Sequence, residues 1–109
     1  MTVVARIARV SRDNFSEALA SVLGECRVQL RTVQEHPSNS RLFWDLTAAV
    51  QALEQIEKEI REGKQRAKGQ RSAAFTRYVI DEGPQMVMDA QLRELIIQIE
   101  DVYARYGNL

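Results

Sequence analysis

The apolar residues of this chain recur at alternating steps of three and four, the spacing of one face of an α-helix. The most regular run lies in the middle of the sequence. Its members follow one another at gaps of 4, 3, 4, 3 and 4: Leu42, Leu46, Ala49, Leu53, Ile56 and Ile60. A mean spacing of 3.5 residues favours a left-handed crossing of nearly aligned helices. The pattern predicts a helix over residues 40–62.

Two similar runs predict long helices on either side of it. The first covers residues 14–35, with Phe15, Leu19, Val22, Cys26, Leu30 and Val33 on one face. The last covers 84–106, with Met88, Leu92, Leu95, Ile99, Val102 and Tyr106. This last stripe is widened by Ile96 and Tyr103 on one side, and by an offset line that includes Ile97. So wide an apolar surface predicts a helix at the centre of a bundle, or one that is partly covered by another chain.

Three breaks separate the helical runs. Pro37 with its Ser and Asn neighbours ends the first run, a polar and basic stretch over 63–72 ends the second, and Gly83-Pro84 precedes the last. A short apolar face between the last two breaks predicts a helix over 73–81. With 109 residues the chain has room for one domain. We therefore predict an all-α, single-domain antiparallel bundle of about four helices, 14–35, 40–62, 73–81 and 84–106, with 63–72 as a basic linker.

The first thirteen residues are ambiguous. Val3, Val4, Ile7 and Val10 fit a helical face, but valine and isoleucine are also common in strands. No second strand is indicated elsewhere, so a short helix is favoured, with a basic arm as the alternative. The bundle domain proper is predicted to span 14–109.

Composition adds a charge pattern to this architecture. The 15 basic and 15 acidic residues cancel, so the chain as a whole does not attract polyanions. By segment, however, the net charge is +3 over 1–12, −4 over 13–60, +5 over 61–77 and −4 over 78–109. The basic block could be a solvated linker, could complement acidic helices across a dimer, or could contact nucleic acid. The candidate nucleic-acid residues are Arg61, Lys64, Arg66, Lys68, Arg71 and Arg77, together with Arg6, Arg9 and Arg12.

The residues that usually carry catalysis are scarce. Cys26 and His36 are the single cysteine and the single histidine, and the glycine spacing matches no phosphate-binding loop. We therefore predict no catalytic site, no metal and no cofactor. Cys26 belongs to the apolar face of the first helix, where a free thiol behaves as a small buried hydrophobe. A single cysteine cannot form a disulfide within the chain, which is typical of proteins in a reducing compartment. No apolar run is long enough to cross a membrane. A cytoplasmic protein is therefore expected.

Trp44 departs from the helical pattern because it lies off the Leu42–Ile60 face. Such a ring is either packed beneath the third helix or the N-terminal arm, or it contacts a partner. Together with Ile97 and Tyr103 it forms the predicted partner-binding set. The function predicted on this basis is a non-catalytic protein-interaction module that self-associates, as a homodimer. The alternatives are a nucleic-acid-binding accessory protein that uses 61–77, and a small helical inhibitor or chaperone of one partner protein.

Overall fold

A computed structural model of the chain describes residues 7–35, 40–63 and 73–106. It confirms the all-α prediction, because these ranges contain helices and no strand. The helices are α1 (Phe15–Glu35), α2 (Ser40–Arg61), α3 (Ala74–Glu82) and α4 (Ala90–Arg105), with a short 3-10 helix at Gly83–Gln85. None of the four is both long enough and apolar enough to cross a membrane.

The two long helices α1 and α2 form the largest interface of the bundle. They run antiparallel: Phe15 at the start of α1 lies beside Ile60 at the end of α2, and Arg27 pairs with Glu54 at 2.8 Å further along. The predicted apolar faces form the core, as the buried positions on α2 show most clearly: Leu46, Ala49, Leu53 and Ile56. The ring of Phe15 stacks on Tyr103 at 6.3 Å between centroids, which joins α4 to this pair.

The start of α4 differs from the prediction of a helix from Pro84. Pro84 lies in the 3-10 helix, the backbone is extended at Met86, and α4 begins only at Ala90. Asp89 caps the new start, since its side chain accepts a hydrogen bond from the Leu92 amide at 2.9 Å. Met88 is buried in the core as predicted, but it belongs to the non-helical segment before α4 rather than to a helix.

The N-terminal segment is neither helix nor strand over residues 7–11, so the favoured short helix is wrong for this part. Ile7 and Val10 are nevertheless buried in the core. The Val10 amide donates to Gln98 Oε1 on α4 at 2.7 Å, and the Asn14 side chain donates to the Arg9 carbonyl at 2.8 Å. The segment is therefore fixed to the bundle. Residues 1–6 lie outside the described ranges.

The first turn of α3 is capped from a different helix. Its N-terminal flanking residue, Ala73, makes no side-chain capping bond. Instead Glu100 on α4, which is almost fully buried, accepts from the Phe75 amide at 2.9 Å and the Thr76 amide at 2.6 Å. The Thr76 hydroxyl donates to the same carboxylate at 2.6 Å. A negative charge at a helix N-terminus is also favoured by the helix dipole, so Glu100 fixes α3 to α4.

Candidate interaction surface

Trp44 lies on the outer side of α2 and is 60% exposed. Its ring makes an edge-to-face contact with Phe43, at 5.4 Å between centroids. The alternative that α3 or the N-terminal arm covers Trp44 is therefore wrong. Large aromatic side chains are usually well covered in small domains, so an exposed tryptophan held against a neighbouring ring is typical of an interaction site.

Next to Trp44, the fully buried Asp45 joins three parts of the chain. Its carboxylate accepts from the Tyr78 hydroxyl of α3 at 2.8 Å, from the Val87 amide at 2.8 Å and from the Met88 amide at 3.3 Å. Arg41 Nε lies 3.3 Å from Asp45 Oδ1, an ion-pair contact without the alignment of a hydrogen bond. With its lone pairs engaged in this way, Asp45 serves to position the chain around it.

Arg41 extends this group toward the end of α3. Its guanidinium pairs with Glu82 at 3.2 Å and lies 5.9 Å from the centre of the Tyr78 ring. We call Arg41, Asp45, Tyr78 and Glu82 the Asp45 cluster. Burial, and after it the hydrogen bond to the negative Asp45, raises the pKa of Tyr78 to about 12. The phenol therefore stays protonated, and a hydrogen-bond donor, to a higher pH than an unperturbed tyrosine does.

The Asp45 cluster brings a second exposed apolar residue close to Trp44. Val87 is 51% exposed, and its amide nitrogen is 2.8 Å from the carboxylate of the residue that follows Trp44. Standard bond lengths then place the Cα atoms of Trp44 and Val87 at most roughly 12 Å apart. We call Trp44, Phe43 and Val87 the Trp44 surface. Val87 was not among the sequence-predicted site residues, because a helix from Pro84 was expected there.

The other predicted partner residues lie elsewhere. Ile97 is half-buried and lines a groove of about 310 Å³ between the start of α3 and α4, beside Thr76 and Glu100. This groove is distinct from the Trp44 surface. Tyr103 is fully buried, and its hydroxyl donates to Glu59 of α2 at 2.6 Å. Its prediction as a partner contact is therefore wrong, since the ring fills the core where α1, α2 and α4 meet.

Of the candidate nucleic-acid residues, Arg61 and Arg77 are exposed on α2 and α3 respectively, and Arg9 and Arg12 are exposed in the N-terminal segment. Arg61 lies 4.0 Å from Glu57. The aromatic residues that follow the basic block are engaged in the fold. Phe75 is buried, and the Tyr78 ring stacks on Phe75 at 6.2 Å between centroids and lies 5.9 Å from the Arg41 guanidinium, so neither offers a free ring for base stacking. Lys64, Arg66, Lys68, Arg71 and Arg6 lie outside the described residues. A nucleic-acid interface stays a prediction.

Cys26 is fully buried, which confirms the prediction that it is a core residue. Burial, with a smaller contribution from negative Glu25, raises the pKa of its thiol to about 12. Only the thiolate reacts readily with disulfide reagents. We expect the thiol of the native protein to react with such a reagent at neutral pH at least about 100-fold more slowly than in denaturant. Rapid stoichiometric labelling of the native protein would show instead that this part of α1 opens readily.

The structure, as far as it is described, contains no group of three or more His, Cys, Asp or Glu side chains placed to hold a metal ion. Comparison of the chain with protein-family models, with curated proteins and with solved structures gives no match. The arguments about function therefore rest on the geometry of the chain itself.

Proposed function

We propose that this protein is a non-catalytic interaction module that self-associates through the Trp44 surface. The observation that carries the proposal is the exposure of Trp44 on a rigid part of the fold. Tryptophan is the side-chain type most enriched among residues that dominate binding energy, and it offers a large area at low conformational cost.

Rigidity supports this assignment. Trp44 belongs to a helix and lies beside Asp45, whose bonds fix α3 and the 86–88 segment to α2. The backbone of the exposed Val87 is therefore held in a fixed position relative to the helix that carries Trp44. A surface that is already ordered before binding loses less entropy when it docks. Among the residues that the structure describes, Ile80 is the most exposed large apolar one. It lies two residues from Tyr78 on α3, about 200° around the helix, and so faces away from Asp45.

A second copy of the chain is the partner that charge favours. The formal net charge is zero, so two copies approach without long-range repulsion. A twofold axis near Trp44 would place the same surface on both sides of the contact, as symmetric dimers require. The acidic and basic segments of the sequence give copies a means of matching charge at the edge of such a contact.

The proposal predicts that Trp44→Ser converts the protein from a dimer to a monomer. Sedimentation velocity over a dilution series to high micromolar concentration measures this directly. The free energy of unfolding, measured at a concentration where the wild type is monomeric, should fall by no more than about 1.5 kcal/mol, because the ring is mostly exposed and loses chiefly its edge-to-face contact with Phe43.

Val28→Ser is the matched control. Val28 is 58% exposed on α1, so the substitution removes a similarly exposed apolar side chain away from Trp44. This variant should dimerise as the wild type does. A wild type that stays monomeric at high micromolar concentration contradicts self-association. If both substitutions weaken dimerisation equally, the contact is not centred on Trp44, and the effect reflects a general loss of surface hydrophobicity.

A further inference from the structure

A second site of different chemistry lies at the other end of α4. Between the N-terminal segment and the last turns of this helix there is a cavity of about 300 Å³. Its lining includes three arginines, Arg9 and Arg12 from the segment and Arg105 from α4. The segment that carries the first two is fixed by the Val10–Gln98 and Asn14–Arg9 hydrogen bonds. The backbone that carries Arg9 and Arg12 is therefore held against α4, so that the three arginines line one cavity.

The charge of this cavity is not balanced by its own residues. Asp101 is the acidic residue in the lining, and it pairs with Nε of Arg105 at 3.2 Å. One carboxylate in the lining therefore faces three guanidinium groups. Among the described residues, no carboxylate lies within ion-pair distance of Arg9 or Arg12. Arg12 instead lies 5.5 Å from the centre of the Tyr106 ring. The formal charge of the described residues that line the cavity is +2.

The shape and polarity of the cavity restrict its ligand further. Buried Val10 and Val102 contribute apolar surface, while the arginines supply donors. Guanidinium groups match the oxygens of phosphate in geometry, and a phosphomonoester carries a charge near −2 at neutral pH. The volume is at the lower end of the range of small-molecule sites.

From these features we infer that the cavity formed by Arg9, Arg12 and Arg105 binds the phosphate group of a small phosphomonoester. The bound dianion offsets the repulsion among the three guanidinium groups, and the apolar lining contacts the organic part of the ligand. The site is independent of the Trp44 surface, because the two lie near opposite ends of α4, roughly 20 Å apart along the helix axis. Failure of one proposal leaves the other intact.

The test is a titration of the full chain, observed by amide NMR, with inorganic phosphate and with phenyl phosphate, an ester whose organic part is apolar. Sodium chloride at equal ionic strength corrects for screening. We expect saturable shifts at the amides of Val10, Ser11 and Val102 below about 20 mM ligand, and tighter binding of the ester than of inorganic phosphate. Absence of saturation with both ligands overturns the proposal.

The variant Arg9→Gln/Arg12→Gln should bind both ligands at least about tenfold more weakly, with the rest of the amide spectrum unchanged. Arg31→Gln/Arg77→Gln is its control, because it removes the same charge from two exposed arginines on other helices. The control should bind within about twofold of the wild type. If ligand binding weakens equally in the two variants, the proposed site is contradicted, and binding depends on net charge alone.

Discussion

Replacing Asp45 by alanine should lower the free energy of unfolding by about 3–4 kcal/mol, a large effect for a single polar residue. The substitution removes a buried acceptor and leaves the Tyr78 hydroxyl and the Val87 and Met88 amides without their partner. Each donor that stays buried without a partner costs about 1–3 kcal/mol, and water entering the new space recovers part of this. Urea unfolding at low protein concentration measures the loss without a contribution from dimers.

Two further measurements separate the role of Asp45 from general damage to the core. Asp45→Asn keeps one acceptor oxygen, so we expect it to lose less stability than Asp45→Ala, about 1–2 kcal/mol. In addition, the pKa of Tyr78 should fall below the wild-type value of about 12 in Asp45→Ala but stay above its ordinary value, because burial, the largest cause of the raised pKa, remains while the hydrogen bond and the negative charge are removed. An unchanged tyrosine titration would contradict the link between these two residues.

The raised pKa of Tyr78 also sets how stability depends on pH. Because the folded pKa lies above the unfolded value near 10, folding favours the protonated phenol. Its contribution is complete below pH 10 and is lost as the pH rises through about 12. In Asp45→Ala this alkaline loss should be smaller, since part of the shift has been removed.

Glu100→Ala should cost about 2–4 kcal/mol for a related reason. It leaves the Phe75 and Thr76 amides at the start of α3 without an acceptor, and α3 has no side-chain cap of its own. A helix of nine residues gains little from its own hydrogen bonds and depends on tertiary contacts. We therefore expect α3 to loosen first, seen as faster amide hydrogen exchange across Ala74–Glu82 than in the wild type.

Glu94→Ala is the matched control for Glu100→Ala. Glu94 lies on the same helix but is exposed, and its contact is with Gln98 at 3.5 Å. Its removal should change stability by less than about 0.5 kcal/mol and leave exchange in α3 unchanged. If Glu100→Ala has an equally small effect, the first turn of α3 is held by apolar packing of Phe75 rather than by the carboxylate.

The parts of the fold that follow from hydrophobic periodicity were predictable. The bounds of α1, α2 and α3 agree with the expected 14–35, 40–62 and 73–81 to within a residue. This agreement has a simple cause, because each of these helices buries one continuous face and its breaks are marked by proline, glycine or charged residues. The core positions of α2 followed for the same reason.

What the sequence did not reveal are contacts between distant polar residues. The predicted start of α4 is too early because the apolar residues Met86 and Met88 continue the helical stripe. In the structure the Val87 amide instead donates to Asp45, which lies 42 residues earlier in the chain, and this segment is not helical. The sequence does contain a weak indication that Asp45 is buried. Asp45, Ala52 and Glu59 follow each other at intervals of seven along α2, each one residue before the predicted face, and all three are buried.

The candidate site was predictable only in part. Trp44 could be recognised as an exception to the periodicity of α2, but its exposure depends on what α3 covers. Tyr103 and Ile97 belong to the same wide apolar stripe of α4. Sequence alone does not indicate that the Tyr103 hydroxyl donates a hydrogen bond to Glu59 in the core while Ile97 lines a groove. Val87 is the second exposed apolar residue of the Trp44 surface. The hydrogen bond from its amide to Asp45 brings it near Trp44, and nothing in the sequence pattern predicts that bond.

The most direct test of self-association uses Trp44 itself, since it is the single tryptophan of the chain. Its fluorescence emission and its quenching by acrylamide should be measured from low to high micromolar protein. Self-association through the Trp44 surface predicts emission of a water-exposed indole in dilute solution, with a shift to shorter wavelength and protection from the quencher as the concentration rises. Exposed emission and full quenching at every concentration would contradict the proposal.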